Sequence, residues 1–141
     1  CLRLNDLQLQ ADLALDGKQV RQILFAVDSC FSGLGIVRKS VGVPDLTRLA
    51  VPKGAFMLTA GMSNQVAQID PKLGMSTFTH FLADGLNGGA DILGNNGLIT
   101  LSELFLYVQY KVAEQTQAKQ IPMLGRMKGE GEMLFLPSTK Q

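Results

Sequence analysis

The chain has 141 residues, 46% of them apolar and 18% charged, with a formal net charge of +1, enough apolar material for one domain that buries roughly two-thirds of its extended surface on folding. This balance excludes a disordered tail, a collagen-like repeat and a strongly basic nucleic-acid arm. No apolar run approaches the roughly 20 residues of a membrane-spanning helix and no leader pattern opens the chain, so neither a membrane nor a nucleic acid is an expected partner and a cytoplasmic location is expected.

The chain begins Cys1-Leu2-Arg3-Leu4 rather than with Met, and reads as a piece of a longer polypeptide. Asn5, with Gln8 at the reciprocal position, predicts a short helix from Asp6 to about Leu15, stopped by Asp16-Gly17. Leu7/Leu9 and Leu13/Leu15 also alternate as a strand would. Ile23 to Val27 is an unbroken β-prone run of the kind buried on both faces of a parallel sheet, and Ala55 to Ala60 is a second, set between Gly54 and Gly61. Between them, Phe31 to Lys53 reads as a long irregular connection. Ser76 is placed to cap an amphipathic helix carrying Phe78, Phe81, Leu82 and Leu86, ended by Gly88-Gly89. Thr100 and Glu103 form a capping box ahead of the apolar face Leu101, Leu104, Phe105, Val108 and Val112, so a helix is expected from Leu101 to about Ala118. Met133 to Leu136, closed by Pro137, reads as a last short strand. The order predicts an α/β fold with a mostly parallel sheet, in one domain without internal repeats.

In an open α/β sheet the chemistry belongs at the carboxyl end of a strand, where Asp28-Ser29-Cys30-Phe31-Ser32-Gly33 lies. Alternation along an extended segment would point Asp28 and Cys30 the same way, with Gly33 and Gly35 letting the chain turn beside them. The two cysteines, Cys1 and Cys30, lack the spacing of a zinc site or a redox pair, and a lone cysteine is by default a small buried hydrophobe.

The string from Ile23 to Gly33 resembles the nucleophile strand of the caspase-like cysteine peptidases, above all metacaspases and their bacterial relatives, which carry Asp-x-Cys-x-Ser-Gly. Thr59-Ala60-Gly61 with Gln65 is similar to the strand and polar turn that follow in that family. Gly74 to Leu86 is similar to its next helix, Gly97 to Leu104 to a common helix start, and Pro122 with Met133 to Leu136 to the close of the domain. The resemblance implies the C-terminal portion of a three-layer caspase-like sandwich, with residues 1–141 a partial peptidase domain. It further implies a cysteine endopeptidase with Cys30 as nucleophile, its backbone N–H as one oxyanion donor, and Asp28 as the wall of a pocket for Arg or Lys. A carboxylate and a guanidinium about 4 Å apart at an effective dielectric near 20 attract by roughly 4 kcal/mol before desolvation. Implied partners are protein or peptide substrates with basic residues. The basic loop Arg38, Lys39, Arg48 and Lys53 becomes a candidate for self-cleavage, although alone it reads as a solvated loop.

The departure from the family pattern is the base. Family members take a His from a turn upstream of the nucleophile strand, whereas the one histidine here is His80, which falls at roughly 200° from Phe78 on a helical wheel and is expected to face solvent. The catalytic His is therefore expected from an upstream segment or subunit outside these residues. The other class of function is a catalytically inactive caspase-fold module that binds partners. No cofactor is predicted from the residues, while the resemblance admits a calcium requirement. Asp91 to Gly97 with Glu103 approximates a calcium-binding loop, but the residue five before Gly97 is Ile92, so Glu103 is better explained by the capping box. A phosphatase loop needs an Arg where Ile36 stands.

Overall fold

The structure is a computed structural model and describes residues 4–17, 19–31, 52–62, 65 and 67–137. Among the described residues it is a mixed α/β fold with three helices. α1 spans Leu4–Asp16 and β1 Gln22–Phe31, followed by β2 Gly54–Met62 and a two-rung hairpin of β3 Ile69–Asp70 and β4 Met75–Ser76. α2 spans Thr77–Asp84 and runs into a π-type turn Gly85–Gly89. After β5 Ile99–Thr100 come α3 Leu101–Gln115, β6 Met123–Gly129 and β7 Leu134–Phe135.

The main sheet has the order β1-β2-β6, with β1 parallel to β2 and β6 antiparallel to β2. The expected mostly parallel sheet is thus corrected to a mixed one. The cause lies in the connection: two helices, an even number of crossings, return the chain to the end of the sheet that β2 left. There Gln120 Nε2 donates to Ala60 O at 2.8 Å and Ile121 N to Gln65 Oε1 at 2.9 Å. A strand entering the sheet from that end must run against β2. Met133 to Leu136, expected as a strand of the sheet, instead supplies β7, which pairs antiparallel with β5 through Ile99↔Phe135 and Thr100↔Leu134.

Alternation along the strands sends side chains to two cores. Phe56, Leu58 and Ala60 of β2, with Leu24 of β1 and Leu124 of β6, pack against Phe78 of α2 and Leu104, Val108 and Val112 of α3. On the other face Ala55, with Ile23, Phe25 and Met127, packs against Ala11 and Leu15 of α1. The buried stripe of α1, Leu7, Ala11 and Leu15, has helical spacing, so the i, i+4 pattern prevails over the competing alternation and leaves Leu9 and Leu13 outward. Asn5 lies inside this helix rather than capping it. At its other end Lys53 Nζ donates to Leu15 O, which makes Lys53 a C-terminal cap for α1 rather than a free loop cation.

The second and third helices begin as their sequences dictate. Ser76 caps α2, accepting from Thr79 N, and Thr100 with Glu103 closes the capping box of α3. α3 stops at Gln115, ahead of Gln117 and Ala118 at φ 52° and 61°, three residues short of the expected end. Gly88 adopts φ 118°, which only glycine takes without strain, and so ends the π-type turn where the sequence placed a breaker.

Candidate functional site

β1 and β2 are parallel, so their carboxyl ends share one edge of the sheet, and the β3–β4 hairpin brings the start of α2 to that edge. Asp28 is the meeting point. Its Oδ2 accepts a hydrogen bond from Ser76 Oγ at 2.5 Å and another from Thr79 Oγ1 at 2.8 Å. Ser76 Oγ in turn accepts from Thr79 N at 3.0 Å as the cap of α2. A carboxylate that takes two hydroxyl donors beside a helix N-terminus is in a favourable place for a negative charge. Asp28 is nonetheless exposed. An exposed ion pair is worth about 0.2–1 kcal/mol, so the roughly 4 kcal/mol of the bare Coulomb figure is a ceiling that only a substrate excluding water would approach.

Cys30 lies in the same strand, paired with Gly61 across the ladder. Between the pairs Val27↔Thr59 and Cys30↔Gly61, β1 advances one residue more than β2, a bulge. The simple alternation expected to align Asp28 with Cys30 is therefore interrupted at this place. Bulges of this kind re-aim side chains and recur next to active sites. The side chains of Cys30 and Phe31 lie outside the described residues, as do Cys1, Gly33, Gly35, Arg38, Lys39 and Arg48.

His80 sits on α2 next to Thr79. It is half-buried rather than facing solvent, with its ring edge-on to Phe81 at 4.9 Å between centroids. Gln65 ties the turn after β2 to the start of β6, its Oε1 accepting from Met62 N at 3.0 Å and from Ile121 N at 2.9 Å. Gln65 thus holds the edge of the site in place.

The loop from Asp91 to Gly97 is held by the carboxylates of Asp91 and Glu103. Asp91 accepts from Asn96 N at 3.2 Å and Gly97 N at 2.8 Å, while Glu103 accepts from Leu93 N at 3.1 Å, Thr100 N at 2.9 Å and Thr100 Oγ1 at 2.9 Å. These carboxylates close the loop on itself. Among the described residues no group of three or more His, Cys, Asp or Glu could hold a metal ion.

Two contributors escaped the sequence reading. Thr79 is the second donor to Asp28, and the Ser-x-x-Thr spacing at the α2 start was the signal for it. Glu132 reaches α3 from 30 residues away, its Oε1 accepting from Ser102 N at 3.0 Å and its Oε2 from Ser102 Oγ at 2.7 Å. No local pattern announces such a tertiary cap. Among the described residues no helix is long and apolar enough to cross a membrane. Comparisons with protein-family models, with curated proteins and with solved structures return no match.

Proposed function

We propose that this chain is the nucleophile-bearing, C-terminal portion of a three-layer caspase-like sandwich and acts as a cysteine endopeptidase that cleaves after Arg or Lys. The observation that carries the proposal is Asp28: an exposed carboxylate at the carboxyl end of the parallel strand pair, two residues before Cys30 and held in place by two hydroxyls. Helices packed on both faces of the sheet support the layer order.

In this reading the Cys30 thiolate attacks the scissile carbonyl carbon, and the carbonyl π pair moves to oxygen. The oxyanion is met by the Cys30 backbone N–H and a second donor from the upstream segment. Collapse expels the amine, which takes its proton from the upstream His, and leaves a thioester on Cys30. Water, deprotonated by the same His, then attacks the thioester carbonyl, the C–S bond breaks, and the acid leaves with Cys30 restored as the thiolate beside the protonated His. A thiol without that base is only a few per cent ionised at neutral pH, so the 141-residue chain alone is expected not to turn over peptides.

The test is a peptide-library profile of the full-length gene product, with Cys30→Ala and Asp28→Asn variants. The reading predicts Arg or Lys before the cut, loss of turnover in Cys30→Ala and loss of the basic preference in Asp28→Asn. A preference for Asp before the cut, or full Arg preference without the Asp28 carboxylate, overturns the specificity assignment. The absence of a His before Cys30 favours one competing reading, an inactive caspase-fold module. Absence of any Cys30-dependent turnover by the full-length product would establish it over the peptidase.

A further inference from the structure

An exposed aspartate at a strand end ordinarily samples several rotamers, and a ligand that needs one of them bears the cost of selecting it. Asp28 is not in that position. Ser76, 48 residues away in sequence, and Thr79, 51 away, both donate to the same oxygen, Oδ2. Two donors three residues apart, the N-cap of α2 and a residue of its first turn, fix where the carboxylate lies and restrict its rotation.

The two donors are not equivalent. Ser76 Oγ also accepts from Thr79 N, so it serves the helix cap and Asp28 together. Thr79 is exposed, and its side chain takes no part in the cap. Its hydroxyl can be removed while the cap remains.

We propose that Thr79, assisted by Ser76, is a positioning residue for recognition of a basic side chain: the hydroxyls hold Oδ2 of Asp28 and so present Oδ1 to the guanidinium or ammonium of the substrate. This rests on the peptidase reading above. Thr79 acts through Asp28 and does not touch the reacting atoms.

The experiment compares steady-state kinetics of the full-length gene product on a fluorogenic peptide with Arg before the scissile bond and on its citrulline counterpart, which keeps the shape and loses the charge. Thr79→Val removes the donor at constant volume, and Thr79→Ser restores it. The expected result is Cys30-dependent turnover in which Thr79→Val raises KM for the arginyl peptide about threefold to tenfold at nearly constant kcat. The citrullinyl peptide is unaffected, Thr79→Ser regains the wild-type KM, and Thr79→Val adds nothing further in an Asp28→Asn background. Should the valine variant not fold, as read by circular dichroism, Thr79→Ala takes its place under the same criteria. An unchanged arginyl KM, or an equal loss on both peptides, overturns the inference and leaves the peptidase reading standing. Absence of Cys30-dependent turnover removes that reading and the inference with it.

Discussion

β1 and β2 are neighbouring strands with the same kind of apolar sequence, yet they end in different surroundings. From Gly54 to Gly61, β2 is buried without a break, with Ala55, Met57, Leu58 and Ala60 at 0% exposure. Ile23, Leu24, Phe25 and Val27 of β1 are only half-buried, and Ala26 is exposed. β2 has a strand on either side and helices on both faces, whereas among the described residues β1 pairs with β2 alone. A continuous apolar run therefore specifies a strand that belongs under cover, but not what covers it. The strand at this edge of the described sheet is also the one that carries Asp28 and Cys30, and Asp28 is exposed there. An edge of this length is a template for a further strand.

The largest expected effect tests that contrast directly. Leu58→Ala removes a fully buried side chain between the sheet and α3 and should cost about 3–4 kcal/mol, while Leu24→Ala on the same face should cost about 1–2 kcal/mol. Urea denaturation of the two variants measures the gap. Equal losses would mean that β1 and β2 are covered alike. Repeating the pair in the full-length gene product sharpens it: if upstream residues cover β1, the cost of Leu24→Ala rises toward that of Leu58→Ala.

Next comes the hub at the start of α3, which differs from the Asp28 cluster in being buried. Glu103 is 5% exposed and accepts from Leu93 N, Thr100 N and Thr100 Oγ1. Glu103→Ala leaves two backbone donors without this acceptor and should destabilise by about 2–3 kcal/mol, against about 1 kcal/mol for Glu103→Gln, which keeps one acceptor oxygen. Asp28→Asn, at an exposed cluster, should shift the unfolding midpoint far less than Glu103→Ala. If it shifts as much, Asp28 is a structural clasp between β1 and α2 rather than a recognition group.

Local signals account for what the sequence made legible. Ser76 and the Thr100/Glu103 box are chemistry written within four residues, and α2 and α3 start where they say. β2 was legible because Ala55 to Leu58 is an unbroken apolar run set between Gly54 and Gly61, and only Thr59 among its eight buried residues is polar. β6 was not, because Met123–Gly129 contains two glycines, an Arg and a Lys and owes its place to pairing with β2. Arg126 shows why such a strand is tolerated: its guanidinium lies over the Phe56 ring at 5.1 Å and its Nη2 donates to Gly131 O at 3.1 Å. The contact with Phe56 exists only once β2 and β6 are registered, so no short window of sequence contains it. At the site the same division holds: Asp28 stood out beside Cys30, whereas the bulge after Val27 and the reach of Thr79 depend on how β1 meets β2 and α2.

A still smaller effect is expected at another hydroxyl–carboxylate contact, away from the sheet edge, between Tyr107 of α3 and Asp84 at the end of α2. Gly85 and Gly89 make room for the ring: a Cβ on Gly85 would lie 3.1 Å from Tyr107 Cδ1, and one on Gly89 3.0 Å from the hydroxyl. Burial, then the hydrogen bond to Asp84, then the charge of Asp84 push the tyrosine up to about 12 from 10.0. Because the folded value lies above the unfolded one, the contact stabilises only while the hydroxyl keeps its proton. Its contribution is complete below about pH 10 and is lost as pH rises from there through 12. Two pH units correspond to about 2.7 kcal/mol, but the contact lies at the surface, and screening reduces it to about 1 kcal/mol or less. Tyr107→Phe should thus unfold at lower urea than the wild type at pH 8, with the difference closing as pH approaches 12. A difference that stays constant between those values assigns the effect to packing of the ring against the glycines, and one that widens reverses the sign and removes Asp84 as its cause.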